Sequence, residues 1–184
     1  MGGGASAYER ELKELLQADP DSLARYARSV PALERAALDG VRRAPFLVVR
    51  AAGSLGFDLV ALRSEFAFPL EVKASASDTI RFSAASGRAA VQLAAHRRAV
   101  ERVGLVILYA YRRVGRGHGE PWRLYAGGTT PQTGRYRVLN RWLPPVESTK
   151  DGNGVLRWGH GMPLSRFFGV IASLTEPAAP GPTP

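Results

Sequence analysis

The stretch of sequence that decides the fold is GSLGFDLVALRSEFAFPLEVK, residues 53–73. A glycine-rich turn precedes Asp58, and two apolar segments on either side of residues 63–66 predict a β-hairpin with its loop at those residues. This register makes three facing pairs, which are Leu62 with Ala67, Val60 with Pro69, and Asp58 with Glu71. Pro69 counts against the register, because proline cannot donate to a strand ladder.

The hairpin predicts a charged cluster on one strand face. Glu71 and Lys73 are two residues apart, so both side chains project from the same face. Facing Cβ atoms in antiparallel strands lie roughly 4.5–5.5 Å apart, and like charges at that spacing are destabilising. A hard divalent cation takes carboxylate oxygens as ligands. The pattern therefore favours a cation site at Asp58 and Glu71, and the alternative is a surface hairpin with solvated charges.

Two flanking segments sharpen this interpretation. Tyr8-Glu9-Arg10-Glu11-Leu12 lies near the N-terminus, and Leu47-Val48-Val49-Arg50-Ala51-Ala52-Gly53-Ser54 precedes the hairpin. Together with the Asp and Glu-x-Lys residues of the hairpin, they resemble the archaeal Holliday junction resolvase family. This family lies in the nuclease superfamily with the Pro-Asp…(Asp/Glu)-x-Lys signature. The resemblance covers roughly residues 5–16 and 44–110, although Phe57 stands where the superfamily often has proline.

The resemblance implies an α/β fold with a restriction-endonuclease-like core, in which helices flank a central mixed β-sheet. Residues 17–43 would be a helical insertion after the first helix, and a basic C-terminal extension would follow the core. We expect one nuclease domain over residues 1–175. The proline- and alanine-rich residues 176–184 are typical of a disordered tail.

The resemblance also implies an activity, which is metal-dependent hydrolysis of phosphodiester bonds in DNA. The expected substrate is a branched DNA, the four-way junction, cut by a homodimer that uses Mg²⁺, with Mn²⁺ as the alternative metal.

Three groups of site residues follow. The metal ligands would be Glu9, Asp58, Glu71 and the backbone carbonyl of Val72; Lys73 would orient the attacking water; Ser54 would contact the active site. The rival interpretations are a related nuclease for other branched or damaged DNA, a non-catalytic DNA-binding relative, and an α/β domain unrelated to nucleic acids.

Several of these residues also have an ordinary structural explanation. Glu9 would be a solvated first-turn glutamate favoured by the helix dipole, Ser54 a turn residue, and Gln92 a surface glutamine. We expect His96 to face the surface or DNA rather than a metal, because it lacks a spaced partner. The candidate DNA contacts are Arg10, Arg50, Ser54, Arg81, Gln92, His96 and Arg97.

Composition limits the classes of function. The chain has 184 residues, with 25 Lys+Arg against 16 Asp+Glu and a net charge of +9, which favours a polyanionic partner. It has no cysteine, so a disulfide framework, a thiol nucleophile and a cysteine metal site are excluded. No apolar run approaches the ~20 residues of a membrane span, and the glycine-rich N-terminus lacks a signal-peptide pattern. We therefore expect a cytoplasmic protein.

Periodicity predicts the remaining elements. The expected helices are Tyr8–Gln17, Leu23–Arg28, Ala32–Val41, Ser86–Val103 and Ser165–Ile171. The expected strands outside the hairpin are Pro45–Ala51, Ile80–Ser83, Leu105–Tyr111, Trp122–Ala126 and Tyr136–Leu139. Residues 112–166 also interleave arginines with five aromatic residues, a combination that suits either core packing or a nucleic-acid surface. Those aromatic residues are Trp122, Tyr125, Tyr136, Trp142 and Trp158.

Overall fold

The computed structural model describes residues 3–51, 56–82, 88–115, 119–128 and 133–175. Its α-helices are α1 (Gly3–Leu16), α2 (Pro20–Ala27), α3 (Leu38–Arg43), α4 (Arg88–Val103), α5 (Gly134–Trp142) and α6 (Leu164–Thr175). Two 3₁₀ helices span Ala32–Ala37 and Trp158–His160. The strands are β1 (Leu47–Arg50), β2 (Leu59–Arg63), β3 (Phe66–Ser75), β4 (Thr79–Phe82), β5 (Leu108–Arg113), β6 (Trp122–Ala126), β7 (Glu147–Ser148), β8 (Gly154–Arg157) and β9 (Met162–Pro163).

A central mixed sheet carries the hairpin. Its six strands run in the order β1-β2-β3-β5-β6-β9, with β3 and β5 parallel and the other neighbours antiparallel. Strands β4, β8 and β7 form a separate three-stranded sheet. The predicted α/β architecture with a mixed sheet flanked by helices is therefore confirmed.

The register of the hairpin agrees with the sequence-based prediction. Leu62 pairs with Ala67 and Val60 with Pro69, and the ladder ends with Leu59 opposite Leu70. Asp58 and Glu71 each lie one position beyond this last pair, and the Asp58 N–H donates to the Leu70 carbonyl. Pro69 is tolerated because its nitrogen points away from β2, and the ladder to β5 begins only at Leu70.

Side chains cover both faces of the central sheet. On one face, α1 and α6 bury Leu12, Leu16 and Phe167 against strand residues such as Phe68. On the other face, α4 and the three-stranded sheet cover three tyrosines of β5 and β6, which are Tyr109, Tyr111 and Tyr125. Alternation along β5 separates the two sets, because successive strand residues point to opposite faces. The candidate site lies on the α4 face, since Glu71 pairs with Tyr109 and Lys73 with Tyr111.

One predicted element was wrong and several have shifted bounds; α1, for example, begins at Gly3 rather than Tyr8. Tyr136–Leu139 is not a strand but part of α5, in which Tyr136 and the buried Leu139 and Leu143 face the core at helical spacing. The predicted strand Leu105–Tyr111 begins three residues later, after Gly104 ends α4 at a φ of +66°.

The segment between α1 and β1 is helical, as predicted, although one of its apolar residues does not pack. Leu38 and Val41 are buried, whereas Leu33 is 99 % exposed. Residues 176–184 lie outside the described part of the chain, so the disordered tail and the single-domain assignment stay predictions. No helix among the described residues is long and apolar enough to cross a membrane.

Candidate active site

Backbone hydrogen bonds fix Asp58 at the open end of the hairpin. Its N–H donates to the Leu70 carbonyl at 3.0 Å, and its Oδ2 accepts from the Val72 N–H at 2.7 Å. In an antiparallel ladder, the N–H and C=O of one residue point toward the same neighbouring strand. The Val72 carbonyl is therefore directed toward the Asp58 edge of β3, as its predicted ligand role requires.

Glu71 is a buried carboxylate that is only half satisfied. Its residue is 2 % exposed, and its Oε1 accepts from Lys73 Nζ at 2.5 Å. Its buried Oε2 has no partner at normal hydrogen-bonding distance among the described residues, although the Gln92 amide lies near enough to lower the pKa of Glu71. Burial raises the pKa of Glu71 to about 7, against the opposing effect of the Lys73 ammonium. Glu71 thus keeps one buried oxygen that no hydrogen bond among the described residues satisfies.

The pKa of Asp58 is also raised. Burial raises the pKa of Asp58 above its usual value, and the negative charge of Glu9 adds to the rise. The Val72 N–H and the Lys73 ammonium act in the opposite direction. Two neighbouring carboxylates with raised pKa values form a site where an added cation would relieve desolvation and repulsion together.

The donor set suits a hard cation, which binds oxygen ligands. The described residues contain no group of three His, Asp or Glu side chains placed to hold a metal. The Asp58 carboxylate is close enough to Glu71 to raise its pKa, and the Val72 carbonyl stays a predicted ligand. Glu9 Oε2 pairs with Arg50 at 2.5 Å, yet Glu9 is close enough to Asp58 to raise its pKa. Its assignment as a metal ligand stays a prediction.

Two side chains of α4 hold the turn that leads into Asp58. Gln92 Nε2 donates to the Gly56 carbonyl at 3.0 Å, and His96 Nε2 lies 2.8 Å from the same oxygen. We call these two residues the Gly56 clamp. Gly56 has a φ of +74°, a conformation that favours glycine. A Cβ added there would lie 3.3 Å from His96 Nε2.

His96 is not a surface residue, so this prediction was wrong and we no longer regard it as a DNA contact. It is 2 % exposed and stacks on Phe57 with ring centroids 4.6 Å apart. The Gly56 carbonyl only accepts, so Nε2 carries the proton, and the neutral ring then accepts from the Tyr109 hydroxyl through Nδ1, at 2.8 Å. Burial lowers the pKa of His96, which favours this neutral form.

Sequence analysis missed the roles of Gly56 and Tyr109. The available signal was the spacing of Gln92 and His96, which are four residues apart and so share one helix face. With a buried apolar position at Leu93 beside them, that spacing indicates a face turned toward the protein.

The predicted DNA contacts differ in their availability. Arg10 and Arg81 are exposed, and Arg50 is exposed but paired with Glu9. Arg97 is half-buried and its Nε donates to the Gly127 carbonyl at 3.1 Å. Ser54 lies outside the described residues.

Comparisons with known proteins gave a distant structural likeness. No protein-family model and no curated protein matched the chain. Among solved structures, the chain is similar to Hjc of Archaeoglobus fulgidus, a Holliday junction resolvase from an archaeal hyperthermophile, with 19 % identity and a TM-score of 0.45. The match covers 74 % of this chain and 92 % of that one. At this distance, the likeness carries no argument about function.

Proposed function

We propose that this protein is a metal-dependent, structure-specific DNA endonuclease with a restriction-endonuclease-like core. Its substrate is branched DNA, with the four-way junction preferred, and its active form is a homodimer. The observation that carries the proposal is the Glu71 carboxylate, which is buried with Oε1 bonded to Lys73 and Oε2 unpartnered. Asp58 immediately precedes β2 and its Oδ2 accepts from the Val72 N–H, so the Asp and Glu-x-Lys residues of the nuclease pattern are neighbours. The net charge of +9 supports a polyanionic substrate.

In this proposal the cation, Mg²⁺ or Mn²⁺, is held by Asp58, Glu71 and the Val72 carbonyl. A metal ion in such a site supplies Lewis-acid stabilisation of the charge that develops on the phosphate. Lys73 favours the ionised form of Glu71 through its 2.5 Å hydrogen bond, and its partly exposed ammonium would orient the attacking water. The Val72 N–H fixes one oxygen of Asp58 and leaves the other for the cation.

Cleavage of labelled DNA with and without magnesium tests the proposal. The substrates are a four-way junction, a flapped duplex and a linear duplex, each incubated with Mg²⁺ or with EDTA. We expect magnesium-dependent cuts in the junction and little cleavage of linear duplex. Preferential cutting of flaps would support the related nuclease for other branched DNA. Binding without cleavage in Mg²⁺ or Mn²⁺ would establish the non-catalytic relative and refute the proposal.

Lys73→Ala provides the variant for this assay. We expect it to lower the cleavage rate by roughly 100-fold or more, a typical loss for a positioned proton-transfer group, while junction affinity changes little. The variant also leaves Glu71 without its cation. If Lys73 serves only to neutralise Glu71, its loss would cost roughly 3–5 kcal/mol of stability. Thermal melting beside cleavage therefore separates the two roles, and a parallel loss of both would favour the structural one.

A further inference from the structure

A basic cleft opens at the far edge of the central sheet, away from the hairpin. It has a volume of about 540 Å³ and lies between the end of α5, the turn at Trp158–His160, β9 and the start of α6. The basic and aromatic side chains of its lining are Arg123, Arg141, Arg166, His160 and Trp142. The lining includes no aspartate or glutamate, so the cleft is suited to an anionic ligand.

Two of the arginines that line this cleft each lie against an indole ring. Trp142 is 51 % exposed, and the Arg166 guanidinium lies 5.5 Å from the centre of its ring. The Arg123 guanidinium lies 4.5 Å from the centre of the Trp158 ring. An exposed indole beside arginines is the arrangement on which an unpaired base stacks while its phosphates are neutralised.

The described residues leave two of these arginines available for a ligand. Arg123 donates to the Glu120 and Trp122 carbonyls, at 3.1 and 2.9 Å, so it also has a structural role. Arg141 and Arg166 are exposed, and no ion pair holds either of them within the described part of the chain. Arginine binds phosphate oxygens with two parallel hydrogen bonds, which makes these two the candidate phosphate contacts.

One wall of the cleft, Arg123, lies on the same sheet face as the candidate active site, whereas Arg141, Trp142 and Arg166 belong to helices on the other face and meet it at the β9 edge. Lys73 pairs with Tyr111, Tyr111 with Arg123, and Arg123 with Pro163, so the four residues form one row across the strands. Neighbouring strands are about 4.8 Å apart, which places the Arg123 backbone roughly 10 Å from that of Lys73. A DNA strand held at Lys73 would reach the Arg123 wall along this row and would pass the β9 edge to contact Trp142, Arg141 and Arg166.

We propose that this cleft binds an unpaired strand of the DNA substrate, with a base stacked on Trp142 and phosphates bound by Arg141 and Arg166. The inference builds on the proposed nuclease function and names the form of DNA that the protein holds outside the site of cleavage. Single-stranded DNA fits because every base has a face that can stack on an indole, whereas the bases of a duplex are already stacked on one another.

Binding of a fluorescent oligo(dT) by the full-length protein tests this inference, with a duplex of equal length for comparison. We expect tighter binding of the single strand, and Trp142→Ala should weaken it roughly 5- to 100-fold, the range measured for one stacked base. Trp142→Phe should retain most of the affinity, because phenylalanine keeps a stacking surface. Trp142 is exposed, so the fold should survive both changes.

Salt dependence tests the phosphate contacts separately. The double variant Arg141→Ala/Arg166→Ala should lower the slope of log affinity against log salt by about 0.7 for each phosphate that the protein no longer neutralises. Arg42→Ala is the matched control, because Arg42 is also exposed but pairs with Asp39 on α3, outside the cleft. The Arg42→Ala variant should bind oligo(dT) with an affinity and a salt slope close to those of the wild type.

The outcomes distinguish this inference from the function on which it builds. If the wild type cleaves junctions but the cleft variants bind oligo(dT) as tightly as Arg42→Ala does, the cleft assignment is wrong and the nuclease assignment stands. If the cleft variants lose oligo(dT) binding but no DNA is cut in Mg²⁺ or Mn²⁺, the cleft is supported and the nuclease assignment fails. Tighter binding of duplex than of single strand would overturn the inference directly.

Discussion

At the scale of single residues, the chemistry of the site depends on two carboxylates that burial makes difficult to ionise. Asp58 and Glu71 both have raised pKa values, and in each case burial is the largest cause. Lys73 offsets part of this cost for Glu71. In the proposed function, the remaining cost would favour cation binding, because a bound divalent ion would stabilise both ionised groups at once.

Asp58→Asn should abolish magnesium-dependent cleavage while leaving junction binding intact or tighter. Asparagine keeps the shape and can still accept from the Val72 N–H through its amide oxygen. It removes one negative charge, so the cation loses an anionic ligand while a phosphate approaches more easily. We expect the cleavage rate in magnesium to fall roughly 100-fold or more. A gel shift in EDTA on the same preparation measures junction binding.

Asp39→Asn is the matched control for this substitution, since Asp39 is an exposed carboxylate paired with Arg42 far along the chain from the hairpin. It should cleave and bind as the wild type does. The melting temperature of Asp58→Asn without metal should stay level or rise, because repulsion with Glu71 is relieved. Cleavage by Asp58→Asn near the wild-type rate would remove Asp58 from the site.

Glu71 should make the metal-free protein less stable as the pH rises. Its folded-state pKa of about 7 exceeds the ordinary value of 4.5, so the folded state holds this proton more tightly than the unfolded chain does. The stabilisation is fully present below pH 4.5 and is lost as the pH rises through 7. The difference between the two pKa values corresponds to a change of at most about 3 kcal/mol in the free energy of unfolding.

Comparison with Glu71→Gln isolates this contribution in thermal melts from pH 4 to pH 8 in EDTA. Asp58 titrates in the same sense as Glu71, whereas His96, with its lowered pKa, acts in the opposite sense. Both groups are present in the two proteins, so the difference between the curves reports mainly on Glu71. We expect the wild type to lose stability relative to the variant as the pH rises, and parallel curves would show that Glu71 titrates normally.

At the scale of elements, the Gly56 clamp connects α4 to the turn that carries Asp58. Gln92→Ala should remove one of two donors to the Gly56 carbonyl while the buried His96 keeps the other. A less constrained turn should raise the magnesium concentration needed for half-maximal cleavage by about 10-fold, the lower range for residues that orient metal ligands. Saturating magnesium should restore most of the rate.

A structural role alone would give a different pattern for Gln92→Ala, namely a lower melting temperature and an unchanged magnesium requirement. Val91→Ala, at the neighbouring position that is 65 % exposed, is the control and should change neither property. Gln92→Asn has an amide one methylene closer to the helix, so it should behave like the alanine variant. An unaltered magnesium dependence in both Gln92 variants would refute the positioning role.

The elements also show what the sequence could and could not predict. The hairpin register was predictable because apolar pairing and a short loop leave few alternatives when both strand faces are covered. The strand predicted at Tyr136–Leu139 was wrong because so short a segment does not distinguish a period of two from one of 3.6. The burial of His96 was missed because it depends on Tyr109 and Gly56, which only the folded chain brings together.

At the scale of the whole molecule, one buried carboxylate joins the two segments that lie outside the resolvase resemblance. Glu120 is 4 % exposed and accepts from the Tyr26 hydroxyl of α2. It also accepts from the backbone N–H and the hydroxyl of Ser165, both at 2.7 Å, at the start of α6. The segment between α1 and β1 and the C-terminal helix therefore stabilise each other on the face of the sheet opposite α4.

The β1 edge of the central sheet presents three apolar side chains that the described residues leave partly exposed. Leu47 is 61 % exposed, Val49 is 44 % exposed, and Leu62 is 37 % exposed. Leu47 and Leu62 are a facing pair, and Val49 lies two residues along β1, so the three share one sheet face. Exposed apolar patches at the edge of a sheet are typical of protein interfaces.

We predict that this face forms a homodimer interface and that the dimer makes paired cuts. A DNA substrate with two-fold symmetry requires two related active sites, which a symmetric dimer supplies. Sedimentation at micromolar concentration should give about twice the chain mass of 19.8 kDa. Leu47→Glu/Val49→Glu should shift the protein to a monomer, because it would bury two charges in the interface. Val103→Glu, at a position 63 % exposed at the end of α4, should stay dimeric.

Cleavage products report on the same interface. The monomeric variant should nick one strand of a junction and release the product before a second cut, whereas the wild type should cut both strands within one encounter. A plasmid-borne cruciform distinguishes these results, since single nicks relax the supercoiled circle and paired cuts linearise it. The prediction fails if the wild type sediments as a monomer both alone and with junction DNA. It also fails if Leu47→Glu/Val49→Glu linearises the plasmid as the wild type does, because paired cutting would then not depend on this face.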